Sequence, residues 1–156
     1  MLLSQQLLEE EEGPSSPHVY ADSRGYWTIA RGTLVDSRII CEGLCQEALA
    51  AQDNYTLQQA AALASGLLGY TQCNAVRQAV CVSMCFQLGG LSGWPGFKAA
   101  LSIGDYNTAA DNMLYKVVSE KTPSDWYLQT PTRCARAAYM MRTGAWLNYG
   151  VEPPIS

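Results

Sequence analysis

Apolar residues recur at helical spacing over most of the chain and at alternating spacing in one short region. Leu3, Leu7 and Leu8 share one side of a helix expected from about Leu2 to Glu11, which Gly13 and Pro14 stop. The pattern then changes. His18-Val19-Tyr20-Ala21 and Tyr26-Trp27-Thr28-Ile29 are rich in β-formers, and Asp22-Ser23-Arg24-Gly25 between them is turn chemistry. A hairpin is predicted, with a third short strand near Thr33-Leu34-Val35. No other segment reads as strand. Helices are predicted near 38–52 and 56–70 from Cys41, Leu44, Cys45, Ala48 and Leu49, and from Leu57, Ala60, Ala61, Ala64, Leu67 and Leu68. Residues 75–88 are apolar at ten of fourteen positions, so this helix should be buried on nearly all sides, and Gly89-Gly90 ends it. A further stripe runs from Tyr106 through Ala109, Ala110, Met113 and Leu114 to Val117 and Val118. Thr122-Pro123 and Thr130-Pro131 each read as an N-cap followed by proline at the first helical position.

The chain has 156 residues, 48% apolar and 15% charged, which supplies a core and excludes global disorder. Its length fits one domain or two small lobes. The apolar stretches fall far short of the about 18 residues of a membrane-spanning helix. The N-terminus lacks the basic start and long apolar run of a secretory signal, so a leaderless protein is expected. The net charge of −4 hides an asymmetry: residues 1–76 sum to −6 and residues 77–148 to +3. Nucleic-acid binding calls for a denser basic stripe with interleaved aromatics, and none is visible.

Six cysteines stand at 41, 45, 73, 81, 85 and 134, two pairs of them four residues apart, on one face of a helix. Such pairs fit a stapled helical hairpin, a metal site or free core thiols. The apolar setting of the pairs, and His18 as the sole histidine, favour free thiols and no metal. Glu9, Glu10, Glu11 and Glu12 crowd the C-terminal end of the first helix, where the dipole disfavours carboxylates. A carboxyl kept protonated there would suit a general acid. A solvated acidic run is the plainer alternative.

Glu12-Gly13, Tyr20, Asp22, Gly25-Tyr26-Trp27-Thr28-Ile29 and Gly32 follow in order across a helix-to-hairpin junction. Further blocks are Ala75-Val76-Arg77-Gln78-Ala79, Met84-Cys85-Phe86-Gln87-Leu88-Gly89, Gly96-Phe97 and Ala109-Ala110-Asp111-Asn112. Trp126-Tyr127-Leu128-Gln129-Thr130-Pro131-Thr132-Arg133 and Arg142-Thr143-Gly144-Ala145-Trp146 complete the set. Together these blocks resemble the phage-type lysozymes, family 24 of the glycoside hydrolases. The resemblance implies that Glu12 is the catalytic acid, Asp22 the catalytic carboxylate and Thr28 the neighbour of the attacking water. It also implies that Leu34, Phe86 and Asn112 line a sugar cleft and that Arg133 pairs with the catalytic Glu. The family's Gly-x-Gly-His reads Ala30-Arg31-Gly32-Thr33 here, and its cleft serine becomes Ala100. The stretch from Thr33 to Val76 is shorter than in relatives, and that between Asn112 and Trp126 is longer.

The expected fold is α+β and lysozyme-like. It has a small lobe of about 1–55 with a three-stranded β-hairpin sheet, a helical lobe of about 56–150, a cleft between them, and a tail of 151–156. The expected function is a muramidase cutting the β-1,4 bond between N-acetylmuramic acid and N-acetylglucosamine in peptidoglycan, without cofactor and with inversion. The expected partner is the peptidoglycan glycan strand, met by a monomer that stays in the host cytoplasm until release. The rival is a lysozyme-fold module that binds glycan without cutting it.

Overall fold

The computed structural model describes residues 3–12, 16–21, 27–30, 33–34 and 46–152, with side chains for 3–11 and 50–152. Helix α1 runs Leu3–Glu12 and strands β1 to β3 are Ser16–Ala21, Trp27–Ala30 and Thr33–Leu34. Helices α2 (Gln46–Ser65), α3 (Ala75–Leu88), α4 (Pro95–Ser102) and α5 (Tyr106–Leu114) follow. Strands β4 (Tyr115–Val117) and β5 (Thr122–Pro123) precede α6 (Asp125–Gln129) and α7 (Pro131–Thr143). A single 3-10 turn, Tyr70–Gln72, joins α2 to α3.

Helix α3 is the axis of the packing. Ala79 to Cys85 are buried without interruption, as a helix apolar on nearly every side requires. Its N-cap is Asn74, whose side chain accepts from the Arg77 N–H, and it ends at Gly89 with φ +67°, a left-handed position that suits glycine. Helices α1, α2 and α7 pack directly against it, and α5 packs on α7 and α4. Leu7, Ala64, Met84, Phe97, Met113, Trp126 and Met140 are among the buried core side chains. Burying each of the larger ones contributes roughly 1.5–3 kcal/mol.

The expected α+β class is corrected by this architecture. Seven α-helices dominate the described residues, and strand structure is confined to short antiparallel pairings. Strand β1 meets β2 through an irregular register between Ser16 and Tyr20, and β2 meets the two-residue β3 over two residue pairs.

A two-stranded antiparallel sheet, β4–β5, lies where only helix was expected. The stripe read from Tyr106 to Val118 therefore ends as helix at Leu114. Val117 ends β4 and Val118 opens the turn to β5, and both are exposed. Thr122-Pro123 forms β5 instead of a helix start, and Ser124 caps α6 by accepting from the Tyr127 N–H. Pro131 does open α7, although Thr130 turns its hydroxyl back to the Trp126 carbonyl instead of capping. The two helices expected near 38–52 and 56–70 are one continuous helix from Gln46 to Ser65, since nothing between 52 and 56 interrupts it. Residues 38–45 lie outside the described set.

Candidate functional site

Helix α1 ends in four glutamates with no basic residue in its last turn. Left alone, that end would join carboxylates to the negative pole of the helix dipole. The fold answers by bringing two cations from α7. Arg133 donates from Nη2 to the Glu11 carbonyl at 2.6 Å, which satisfies one of the orphan carbonyls of the α1 terminus. Its Nε stands 3.9 Å from Glu11 Oε2. Arg136 lies one turn further along α7 and donates from Nη2 to Glu10 Oε2 at 2.5 Å. Its Nη1 is 3.9 Å from Glu11 Oε1.

The Glu11 side chain is 1% exposed and that of Arg136 4%. Charges buried this deeply need partners of good geometry. Ser83, from the middle of α3, donates its hydroxyl to Glu11 Oε2 at 2.6 Å. Arg136 also donates from Nε to the Leu147 carbonyl at 2.8 Å, and its guanidinium faces the rings of Trp146 and Tyr149 at 5.5 and 5.7 Å. The end of α1 is thus tied to α3, to α7 and to the segment after α7. A hollow of about 410 Å³ opens beside it, bordered by Glu11, Arg133, Arg136, Tyr149 and Glu152.

Glu12 is the last residue of α1, immediately after the clamped Glu11 carbonyl. Its side chain and all of Asp22 lie outside the described residues, as do the side chains of Thr28 and Leu34. The backbone places Thr28 in β2, paired with Tyr20 on one side and Leu34 on the other, so two of the expected site residues are cross-strand neighbours. Arg133 engages Glu11, the residue before the expected acid.

Phe86 and Asn112 line different hollows. Phe86 borders one of about 240 Å³ between α1 and α2, with Leu8, Glu9, Asp53 and Leu57. Asn112 borders a groove of about 570 Å³ with Trp94, Gly96, Tyr115, Trp126 and Gln129. The Asn112 amide donates to the Thr108 carbonyl at 2.8 Å and lies so close to Gly96 that a Cβ there would collide with it. Trp126 anchors the groove floor by donating its indole N–H to Gln87 Oε1 at 2.9 Å and meeting Trp94 edge-to-face. Trp126 is buried, while Trp94 and Tyr115 are half-buried at the groove wall. Ala100 is buried in the core.

Sequence reasoning did not find Ser83 or Arg136. Arg133 and Arg136 are three residues apart and so share a face of α7. That spacing, set against a run of glutamates, was the available signal. Ser83 gave a weaker one, as a lone polar residue inside the most apolar helix. Among the described residues no cluster of three or more metal-ligating side chains occurs, and no helix is long and apolar enough to cross a membrane. No protein-family model matches the chain.

Proposed function

We propose that the protein is a muramidase that hydrolyses the β-1,4 bond between N-acetylmuramic acid and N-acetylglucosamine in peptidoglycan. The observation that carries this reading is the clamp at the end of α1. The residue expected to deliver the proton, Glu12, follows a backbone carbonyl fixed by Arg133 and a side chain fixed by Ser83 and Arg136. A general acid must be held within hydrogen-bond reach of its leaving-group oxygen, and a frayed helix end cannot do that. Five hydrogen bonds and ion pairs spent on one helix terminus are consistent with such a positioning demand.

In this proposal Glu12 protonates the glycosidic oxygen. Asp22, with Thr28, directs a water to the opposite face of the sugar, which inverts the anomeric centre. Arg133 and Arg136 act through Glu11 and Glu10 as positioning residues. Leu34, Phe86 and Asn112 contact the glycan strand at separate points, Phe86 in the hollow between α1 and α2 and Asn112 in the groove floored by Trp126.

Turbidity of purified peptidoglycan decides the matter. Wild type should clear the suspension, and Glu12→Gln should lose roughly 100- to 10,000-fold in rate, the usual worth of a general acid. Retention of more than a few per cent by Glu12→Gln would remove the proposal, because Glu11 is buried and engaged by Ser83, Arg133 and Arg136.

A further inference from the structure

The β4–β5 ribbon carries an irregularity at the Asn112 groove. Tyr115 pairs with Pro123 and Val117 with Thr122, so two steps along β4 match one along β5, and Lys116 is the extra residue of a β-bulge. A regular strand sends successive side chains to opposite faces. Here Tyr115 and Lys116 both border the same groove, because a bulge re-aims the residue it inserts. The base of the ribbon is fixed. The Ser124 N–H donates to the Leu114 carbonyl at 2.8 Å, and the Ser124 hydroxyl donates to the Met113 carbonyl at 2.7 Å. Asp125 follows directly as the first residue of α6 and borders the groove as well. A cation and an anion thus stand at one groove of about 570 Å³, held by the two arms of one anchored ribbon.

Neither charge is used by the fold. Arg133, Arg136 and Arg142 are each engaged by a carboxylate, whereas Lys116 and Asp125 are in no ion pair among the described residues. Both are exposed and so open to a ligand in the groove. The chain carries a net charge of −4, so an anionic ligand gains from a cation placed locally and not from the molecule as a whole.

We propose that this groove takes the peptide carried by muramic acid, with Lys116 pairing a free carboxylate of that peptide and Asp125 its side-chain ammonium, so that walls with unamidated peptides are preferred. The choice of ligand rests on the muramidase reading and deepens it. The sugar rings of the strand are neutral, so two unpaired charges gain nothing from the glycan itself. The peptide on the lactyl group of muramic acid carries carboxylates and, where it contains a diamino acid, an ammonium. Amidation turns a carboxylate into a neutral amide and leaves Lys116 without its counterion. An exposed pair contributes little binding, which suits Lys116 to selecting among walls more than to anchoring one.

The test titrates the protein by calorimetry with two N-acetylated tetrapeptides: L-alanyl-γ-D-glutamyl-L-lysyl-D-alanine with its carboxyls free, and the same peptide with both carboxyls as amides. Neither has a glycosidic bond, so binding reads the groove apart from catalysis. Wild type should bind the free-carboxyl peptide roughly 2- to 5-fold more tightly, the worth of an exposed ion pair, and added salt should shrink the preference. Lys116→Met should erase the preference and Lys116→Glu should invert it. Lys121→Met removes the same charge from the turn outside the groove and should keep it. Asp125→Asn should weaken both peptides alike. Equal affinity of wild type for the two peptides, or affinity for neither, would overturn the proposal, and that result needs no variant to fold. So would a preference that survives Lys116→Met. Peptide binding with the expected preference but no clearing of peptidoglycan would uphold the groove and remove the muramidase reading, and clearing without peptide binding would do the reverse.

Discussion

Replacing Arg136 by Met keeps most of the side-chain volume and removes the charge from the deepest part of the α1 clamp. Three polar contacts go at once, along with the cation facing Trp146 and Tyr149: the 2.5 Å bond to Glu10, the 3.9 Å approach to Glu11, and the 2.8 Å bond to the Leu147 carbonyl. Breaking a buried pair by removing one partner costs about 3–5 kcal/mol, because the other charge stays behind without its counterion. Here Ser83 still donates to Glu11 and Arg133 still stands nearby, which places the loss near the lower end, about 3 kcal/mol. For a chain of this size each kcal/mol moves Tm by about 2–4 °C, so Arg136→Met should melt about 6–12 °C below wild type. Adding Glu11→Gln removes the buried charge that Arg136→Met strands. The double variant should therefore be more stable than the sum of the singles predicts, by about 1–3 kcal/mol of coupling. Differential scanning calorimetry of the four proteins measures this cycle. An Arg136→Met protein melting within about 2 °C of wild type, or a cycle that is simply additive, would refute the view that the clamp is an energetically connected unit.

The other expectations are these. Asn74→Ala removes the α3 cap and the bond from Asn74 Nδ2 to the Gly144 carbonyl, and should cost about 1–2 kcal/mol by urea denaturation. Iodoacetamide labelling of native protein should rise with pH through about 7 at Cys73, because the thiolate is the nucleophile and is lost by protonation below that value. Burial pushes Cys85 up to about 11 and Cys134 up to about 12, so both should stay unlabelled across this range. Fresh product from the β-linked glycan should be the α anomer by NMR; a β product would replace the positioned water with direct attack by a carboxylate. Thr28→Glu, which puts a carboxylate in the place of that water, should abolish turnover in the turbidity assay, and wild-type rates would remove Thr28 from the site.

The helical framework was legible where periodicity was long and unambiguous. The fourteen residues 75–88 form α3 with those bounds, and the glycine pair closes it as expected. Legibility failed where a local signal had two meanings. Val117 and Val118 continue the helical spacing of Tyr106 to Leu114, yet β-branched Val117 also suits a strand, and the pairing of Tyr115 and Val117 with Pro123 and Thr122 decided the matter. Thr-Pro opens a helix at 131 and forms a strand at 122, a difference set by what lies across from it and not by the dipeptide. At the candidate site the acidic run and Arg133 could be read from the chain. That Glu11 is the buried member depended on Ser83 and Arg136, which are 72 residues from it on α3 and far along on α7, and sequence spacing carries no record of such meetings.

The clamp also sets an order of events during synthesis. Arg133 meets the Glu11 carbonyl across a separation of 122 residues. At about 5–20 residues per second, roughly 6–25 s pass between the emergence of α1 and that of its partner on α7. Through that interval the acidic end of α1 has no α7 to dock against. Every chain cut short before Arg133 therefore lacks the contact that fixes the turn before Glu12. Under the proposed function, growing and truncated chains would be harmless to the wall, and competence would arrive only with the last helix of the body.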